Sequence, residues 1–314
     1  MAECDALRHI PGRMPVGRPL ARSFRRLAGG PGKKTCDDWN SVRNALDFFC
    51  RAIAVLQEGV MHENKPELSV VIPAYNEESR LGQTLAPMWR ALNRRFSSFE
   101  MIVVDDGSSD DTAGVVERFA AGHPQVRLLR CAVNRGKGHA VRRGVLASRG
   151  CYVLFCDADQ STPMREVRKL LKGLEAHDVA IGSRAIRQAR IVECQPFYRV
   201  LMGKVFNKIV QLAAVPGILD TQCGFKCFRG DRGRDLFSRC RIDGFSFDVE
   251  LLFVARSLQL SVVEIGVLWK NNPESKVHPV RHSLQMLRDL VRIRCYGLLG
   301  HYPPIGALRV RTEA

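Results

Sequence analysis

Two aspartates that follow a short apolar run are the first candidates for chemistry. Residues 153–156 are apolar, Asp157 comes next, and Asp159 follows after one alanine. Such a run is typical of a buried parallel strand, and ligands of α/β sheets bind at the carboxyl ends of strands. Two carboxylates there supply the oxygen ligands that Mg²⁺ or Mn²⁺ prefers, opposite a nucleotide diphosphate. The alternative is that an aspartate only caps the next helix.

Two other loops carry polar side chains at the ends of predicted strands. Asp105 and Asp106 follow a strand at 100–105, and Asn134-Arg-Gly-Lys-Gly138 follows a strand at 126–129. Carboxylates accept hydrogen bonds from ribose hydroxyls or a base, and glycines allow the backbone to approach a diphosphate closely. Lysine and arginine suit a phosphate. The three loops together predict a nucleotide site in which Asp157 and Asp159 carry the metal.

Alternating strand and helix patterns must bring these loops together. Apolar runs and periodic segments alternate from residue 68 to residue 183, joined by short connections. This order predicts an α/β fold with a mostly parallel twisted sheet and helices on both faces. Further strands are predicted after Gly224 and at 261–267, so that the catalytic domain spans 65–270. The missing GxGxxG and Walker patterns argue against dinucleotide-binding and P-loop proteins.

The two ends of the chain differ in character from this domain. Residues 1–40 are basic and lack hydrophobic periodicity, which predicts a disordered arm, while 41–64 read as an amphipathic helix and linker. Residues 271–314 are interpreted as a closing loop and a basic amphipathic helix. Lys276 in the loop is a candidate to touch a phosphate, and a solvated surface lysine is the alternative.

Charge and cysteine content limit the classes of partner. The 314 residues include 48 Lys and Arg against 32 Asp and Glu, a net charge of +16 that favours anionic partners. A basic nucleic-acid-binding protein is a distant alternative, because only 7% of residues are aromatic and no known RNA or DNA module is recognised. The 11 cysteines lack paired metal-ligand spacing and are interpreted as reduced thiols.

Four motifs together resemble the family-2 glycosyltransferases of the GT-A fold. They are Pro73-Ala-Tyr-Asn-Glu77, Val104-Asp-Asp-Gly-Ser-Ser-Asp-Asp-Thr112, Asn134-Arg-Gly-Lys-Gly138 and Asp157-Ala-Asp159, within a resemblance over 67–300. Three more motifs are similar to the members that act on polyprenyl phosphates: Asp220-Thr-Gln-Cys-Gly-Phe-Lys226, Gly244-Phe-Ser-Phe-Asp-Val-Glu250 and Asn272-Pro-Glu-Ser-Lys-Val277. The resemblance implies an inverting, metal-dependent hexosyltransferase that moves glucose from UDP-glucose to dolichyl or undecaprenyl phosphate, giving a β-linked product. Alternatives are GDP-mannose as donor, or a soluble saccharide or protein as acceptor.

The resemblance also implies roles for individual residues. Nucleotide-sugar binding is expected at Pro73, Tyr75, Asn76, Glu77, Asp105, Asp106, Gly107, Ser108, Asn134, Gly136, Lys137, Gly138, Asp157 and Ala158. The lipid phosphate is expected at Arg184, Arg199 and Lys226, with Lys276. Catalytic roles are expected for Asp157, Asp159, Asp220, Gln222 and Asp248, although a helix cap also explains Asp248. No general base is required, because a phosphate acceptor is already an anion.

Two amphipathic helices are candidates for contact with a membrane surface. One covers 197–212 with Arg199, Lys204 and Lys208 on its flank, and the other covers about 280–299. The second carries Arg281, Arg288 and Arg292 beside Leu284, Leu287, Val291 and Leu298. For the second helix the alternative is that one face packs on the domain and the other lies in water. No apolar run reaches about 18 residues, so we expect peripheral attachment at the cytoplasmic face, in a bacterial inner membrane rather than the endoplasmic reticulum.

Overall fold

A computed structural model describes residues 65–193, 197–272, 279–302 and 309–312. Side chains are described for 65–193, 202–272 and 284–302. The expected arm at 1–40, the expected helix at 41–64 and Lys276 lie outside these residues.

The main sheet is built from short apolar runs that are buried almost completely. All seven residues of β2 (Phe99–Asp105) and six of the seven in β1 (Leu68–Ala74) are buried. Continuous apolar runs are what strands covered on both faces require. The other strands are β3 (Val126–Arg130), β4 (Tyr152–Cys156), β5 (Val179–Ser183), β6 (Arg190–Glu193), β7 (Phe225–Arg229), β8 (Ser261–Gly266), β9 (Leu268–Lys270) and β10 (Arg309–Thr312).

Several helices bury a single apolar stripe. In α1 (Glu78–Asn93) the buried residues Leu81, Leu85, Met88 and Leu92 recur every three or four positions, which is one face of a helix. The others are α2 (Thr112–Ala121), α3 (Lys137–Leu146), α4 (Val167–Gly173), α5 (Phe197–Ala213), α6 (Gly230–Arg239), α7 (Phe247–Ser257) and α8 (Pro279–Leu298). A short 3₁₀ turn, Met164–Glu166, precedes α4.

The sheet has the strand order β10-β8-β5-β7-β4-β1-β2-β3. All neighbours are parallel except that β7 runs antiparallel to both β4 and β5. Successive residues of β1 point to opposite faces: Val71 packs in the core that includes α3 and α7, and Val70 packs in the core that includes α1 and α4. The predicted fold, a mostly parallel sheet with helices on both faces, is confirmed.

The register brings the predicted loops to one edge of the sheet. Ala74 at the end of β1 pairs with Asp105 at the end of β2, and Asp105 pairs with Arg130 at the end of β3. The neighbouring β4 also runs parallel to β1, so its carboxyl end opens on the same edge. This edge is called the rim below, and it carries Asp105, Asp157 and the glycine-rich loop.

The antiparallel direction of β7 was not predicted, and it matters for the rim. Phe225 at the start of β7 pairs with Cys156 at the end of β4, so β7 begins at the rim instead of ending there. The residues just before β7 therefore lie beside Asp157. The small sheet of β6 and β9, the strand β10 and helix α6 were also missed. In α6 the opening Gly-Asp-Arg-Gly-Arg lacks the apolar periodicity that identifies a helix.

Gly144 provides a test of how closely α3 lies on the sheet. A Cβ at Gly144 would approach Val71 Cγ1 to 2.3 Å and Val104 Cγ2 to 2.9 Å, whereas Gly82 in α1 has open space around it. We expect Gly144→Ala to lower the free energy of unfolding by about 1–3 kcal/mol, because the buried valines must move. The matched control Gly82→Ala should raise it by about 0.5–1 kcal/mol, through helix propensity alone. Urea denaturation measures both, and equal changes in the two variants would contradict the packing.

Candidate active site

Asp157 and Asp159 stand at the rim after a buried strand. The Asp157 side chain is 35% exposed, and its Oδ1 lies 2.6 Å from the ammonium of Lys137. Asp159 Oδ1 accepts the backbone N–H of Ser161 at 2.9 Å. Both carboxylates are thus accessible to a ligand from the solvent side.

Lys137 is drawn into a cluster of negative charge. Burial alone would lower the pKa of Lys137, but Asp157, Asp248 and Asp159 outweigh burial and raise it. The ammonium therefore stays charged and occupies a place that the carboxylates make favourable for a cation. A group of hard oxygen ligands that already attracts one cation fits a divalent metal ion.

Gly224 brings the loop before β7 against Asp157. A Cβ at residue 224 would lie 2.1 Å from Asp157 Oδ2, so any side chain there would displace the carboxylate. Glycine is required because the backbone approaches a functional group so closely. The close approach of Gly224 to Asp157 thus explains why the Cys-Gly-Phe-Lys motif has a glycine.

Asp105 and Asp106 are buried and organise the loops around them. Asp105 Oδ1 accepts the N–H of Ser108 at 2.9 Å. Asp106 Oδ2 accepts the N–H groups of Arg135 and Gly136 at 3.1 and 2.6 Å. Asp106 therefore shapes the glycine-rich loop, where sequence analysis expected a direct contact with ribose or base.

A buried group beside Asp106 also contains Cys131 and His139. Their ligand atoms and a carboxylate oxygen of Asp106 lie within 4.8 Å of one another. However, Asp106 already accepts the two backbone N–H groups, and Arg143 Nη1 donates to Cys131 Sγ at 3.2 Å. A guanidinium in contact with the sulfur disfavours a second cation at the same place.

The loop after β1 is fixed to the loop after β2. Asn76 adopts a left-handed backbone (φ 53°), and its Oδ1 accepts the N–H of Ser109 at 2.8 Å. Ser108 Oγ accepts the N–H of Asn76 at 2.9 Å, and Glu77 forms an ion pair with Arg80 at 2.7 Å. Pro73 lies partly buried at the end of β1, and the side chain of Tyr75 is 43% exposed.

Three other predicted nucleotide-site positions differ in exposure. Asn134 is exposed, Ala158 is buried between the two aspartates, and Gly138 packs against the start of α7. A positive φ of 73° and a close approach to Val133 explain Gly107. The exposed Asn134 and Tyr75 are the predicted residues here with most surface open to a ligand.

Arg184 is held in a fixed orientation at the rim. Its Nε and Nη2 donate to the two oxygens of Asp220 at 2.8 and 2.9 Å, and its Cζ lies 5.5 Å from the centre of the Trp269 ring. Burial would raise the pKa of Asp220, but the Arg184 guanidinium outweighs it and lowers that pKa. Glu264 accepts the N–H of Asp220 at 2.9 Å and so fixes the loop.

Arg184 and the aspartate pair belong to one site. Trp269, under the guanidinium, lines a small cavity together with Asp157, and the Asp157 carboxylate contributes to the raised pKa of Arg184. The Arg184 side chain is still 30% exposed, and among the described residues its Nη1 makes no hydrogen bond. An anion arriving at the rim therefore finds a free N–H edge on a fixed guanidinium.

Lys226 and Asp248 form a buried ion pair below the rim. The Lys226 side chain is 0% exposed, and its ammonium donates to Asp248 Oδ1 and, at 2.7 Å, to the carbonyl of Cys223. Burial raises the pKa of Asp248 against the pull of Lys226. The resemblance assigns Lys226 to the lipid phosphate, but the ammonium points to Asp248 and not to the surface.

Other predicted residues lie near the rim or outside the described side chains. Gln222 is partly buried, and its Nε2 lies 3.8 Å from Met286 Sδ on α8. Arg199 belongs to α5, and its side chain is not among those described. Sequence analysis missed Glu264 and Trp269 as parts of the site. The signal for Glu264 was a carboxylate inside the apolar run of a strand, which needs buried partners.

The apolar stripes of α5 and α8 are exposed, and the two helices contact each other. The stripes consist of Met202, Val205, Ile209 and Leu212 on α5, and Leu284, Leu287, Val291 and Leu298 on α8. Leu290 and Ile293 are the residues with which α8 packs on the domain. The named stripes therefore do not pack on the domain, whereas another face of α8 does, as the alternative for this helix expected. Within the described ranges no helix is long and apolar enough to cross a bilayer.

Comparisons with known proteins agree with this geometry. Residues 69–231 match the family model of Glycosyl transferase family 2. The chain is 40% identical over 246 residues to the dolichyl-phosphate beta-glucosyltransferase of Dictyostelium discoideum, covering 74% of this chain and 75% of that protein. The protein of the same name from Drosophila melanogaster is 41% identical over 248 residues, covering 74% and 76%.

A solved structure extends the comparison to the fold. The glucosyl-3-phosphoglycerate synthase of Mycobacterium tuberculosis, crystallised with Mn²⁺, UDP and glucosyl-3-phosphoglycerate, superposes with a TM-score of 0.53 at 20% identity. The match covers 77% of this chain and 82% of that chain. At this identity the likeness concerns the fold.

The buried pair of Lys226 and Asp248 gives a stability test. Lys226→Met leaves the Asp248 carboxylate buried without its cation, so we expect the free energy of unfolding to fall by about 3–5 kcal/mol. The double variant Lys226→Met with Asp248→Asn should recover part of that loss, because no buried charge remains. Denaturant unfolding of both proteins checks this, and equal stability of the single and double variants would contradict the pairing.

Proposed function

Because this chain belongs to glycosyl transferase family 2 and is a glycosyltransferase, we propose that it transfers glucose from UDP-glucose to a polyprenyl phosphate. Dolichyl phosphate is the first candidate acceptor, since the relatives named above are dolichyl-phosphate beta-glucosyltransferases. The family rules out the alternative of a nucleic-acid-binding protein as the main activity. GDP-mannose and soluble acceptors remain alternatives for the test below.

The observation that carries the proposal is the fixed guanidinium beside the aspartate pair. Asp220 orients Arg184 through two hydrogen bonds and leaves Nη1 open. A planar guanidinium held in one orientation suits a phosphate oxygen, because charge-assisted hydrogen bonds to phosphate are strong and directional. Arg199 at the start of α5 is the second proposed contact of the lipid phosphate. Lys226 acts on that contact through Asp248 and the loop before β7.

The donor occupies the rim between the loops after β1, β2 and β3. The exposed Tyr75 and Asn134 face the nucleoside, while Asp105 and Asp106 hold the loops in place. Lys137 contacts the diphosphate, and Gln222 contacts the sugar.

Asp157 and Asp159 would hold Mg²⁺ or Mn²⁺, which supplies positive charge to the leaving diphosphate. The cation-attracting cluster around Lys137 supports this assignment, and the synthase of similar fold was crystallised with Mn²⁺. Filling the site requires that the Lys137 ammonium moves from Asp157, towards the diphosphate that it then binds.

The transfer is a single displacement. An oxygen of the acceptor phosphate forms a bond to the anomeric carbon, the bond from that carbon to UDP breaks, and its electron pair leaves with UDP. Attack from the side opposite UDP inverts an α-linked donor to a β-linked product. No proton has to be removed from a phosphate that is ionised at neutral pH, so Asp248, buried against Lys226, is not needed as a base.

The α5 and α8 stripes form the surface that meets the membrane. Val205 and Leu212 on α5 are 55% and 80% exposed, and Leu284 and Val291 on α8 are 65% and 64% exposed. Exposed lysines of α5, Lys204 and Lys208, add charge complementary to anionic lipid. The protein would thus attach peripherally, near an acceptor whose chain lies in the bilayer. Since the relatives named above are eukaryotic, the endoplasmic reticulum is preferred over the bacterial inner membrane that the sequence alone favoured.

Sugar transfer into an organic phase tests the chemistry. With a short-chain polyprenyl phosphate and Mg²⁺ or Mn²⁺, we expect label from UDP-glucose, and not from GDP-mannose, to enter the organic phase. Chelation should abolish transfer, and Asp159→Asn should lower kcat/KM at least about a hundredfold, because charge on the leaving diphosphate is no longer neutralised. Glu117→Gln, on the exposed side of α2, is the matched control. Transfer that proceeds only with GDP-mannose, or only to a water-soluble acceptor, would overturn the donor or the acceptor assignment.

Vesicle flotation tests the membrane surface. We expect the protein to float with vesicles of phosphatidylcholine and phosphatidylserine, and Leu284→Gln with Val291→Gln to weaken the partition at least about tenfold, through lost apolar burial. Leu146→Gln, an exposed leucine at the far end of α3, is the control and should bind like the wild type. Equal binding of the double variant and the wild type would show that another surface docks.

A further inference from the structure

A basic cleft opens beside the rim, and Arg184 is not among the residues that line it. It has a volume of about 360 Å³ and lies between the glycine-rich loop, the segment 241–245 before α7, and α8. Small-molecule sites typically occupy about 300–1,000 Å³, so the cleft is large enough for a diphosphate or a lipid headgroup. None of the motifs recognised in the sequence accounts for its α8 wall.

The cleft carries an excess of positive charge. Its lining includes the basic residues Arg135, Lys137, Arg241, Arg288 and Arg292 and the acidic residues Asp243 and Asp289. Both acids are already neutralised. Asp243 pairs with Arg135 at 2.8 Å and with Arg142 at 2.5 Å, and Asp289 pairs with Arg292 at 3.3 Å.

Arg241 and Arg288 are basic lining residues that these pairings do not neutralise. Within the described part of the chain, neither guanidinium forms an ion pair with a carboxylate. Two unneutralised guanidinium groups across one cleft repel each other, and an anion between them removes that repulsion. A phosphate is the anion whose oxygens match the fork of guanidinium N–H groups.

The placement of Arg288 on α8 shows that it serves the cleft. At about 100° per residue, Arg288 lies about 40° from Leu284 and about 60° from Gln285 around the axis of α8. Leu290 and Ile293 face the core, the stripe of Leu284 and Val291 is exposed, and Arg288 lies at the edge of this stripe, on the side of Gln285 and Arg292, which line the cleft. Arg288 thus stands where the cleft meets the apolar stripe that we assign to the membrane.

The cleft is continuous with the metal site through Lys137. This residue lines the cleft, and its ammonium lies 2.6 Å from Asp157. Gly136, at φ 117°, lies against the carbonyl of Asp243, where a Cβ would come within 2.6 Å, so the wall of the cleft and the rim are in close contact. A phosphate in the cleft would therefore lie within reach of the proposed reaction.

We propose that Arg288 and Arg241 form a phosphate-binding site that holds a substrate phosphate beside Lys137, an inference that rests on the proposed function. The phosphate belongs either to the nucleoside diphosphate or to the lipid phosphate, and both present the same ionised oxygens. In either case Arg288 contacts substrate from α8, a helix for which sequence analysis expected no contact with substrate.

Calorimetric titration of the full chain with four ligands tests the site: UDP, uridine, geranyl phosphate and inorganic pyrophosphate, each with Mg²⁺. Arg288→Gln and Arg241→Gln should each lower the affinity for a phosphate ligand about 10- to 100-fold, because a charge-assisted hydrogen bond contributes that much to binding. Uridine should be unaffected. Arg294→Gln, on the same helix but outside the cleft, is the matched control and should bind like the wild type.

Each result has a distinct meaning. Weaker UDP binding with unchanged geranyl phosphate identifies the donor diphosphate, and the reverse identifies the acceptor phosphate. Either supports the site. The wild type could bind pyrophosphate but neither UDP nor geranyl phosphate, with Arg288→Gln binding pyrophosphate more weakly. In that case the cleft site stands and the proposed function falls. If Arg288→Gln and Arg241→Gln bind every phosphate ligand as tightly as the Arg294→Gln control does, the site is overturned and the proposed function is left intact. Thermal melting of each variant confirms folding.

Discussion

Three carboxylates around the rim are each held by a cation, and the site depends on this pairing. Asp157 faces Lys137, Asp220 faces Arg184, and Asp248 faces Lys226. Such carboxylates would be costly to bury singly, because their lost hydration must be replaced. Pairing lets the sheet bring its charged strand ends together without repulsion. Asp159 differs: among the described residues it has no cation within ion-pair distance and accepts only the N–H of Ser161.

The antiparallel strand β7 is the element that makes these pairings possible. Because β7 begins where β4 ends, the loop before it delivers Asp220 and Gly224 to the same edge as Asp157, and Lys226 follows at the start of β7. A parallel strand at that place would begin at the opposite edge and leave Arg184 without its carboxylate. Glu264, buried in β8, then holds the Asp220 loop by two backbone hydrogen bonds. The pairing of charges at the rim therefore depends on the antiparallel direction of β7.

The sequence predicts the parallel core and its rim loops well, because each depends on local patterns. The apolar runs of β1, β2 and β4 and the polar residues that follow them are short, continuous segments. The pair of Arg184 with Asp220 joins residues 36 positions apart, and no local pattern encodes it. The direction of β7 was missed for the same reason. Helical periodicity gives the angles between residues of one helix, so Arg288 was grouped with Arg281 and Arg292. Periodicity does not show which part of the protein each residue faces, because that depends on tertiary packing.

Helix α8 meets the core, the cleft and the exposed surface at different positions around its axis. An α-helix of 20 residues is stiff along its length, so a displacement imposed on one face is carried to the others as a rigid-body movement. Leucines at the outer surface and Arg288 at the cleft are thus coupled as parts of one rod. If the outer stripe rests on a support, a change in how it is seated would also displace Arg288. The seating of α8 and the geometry of the cleft would then change together.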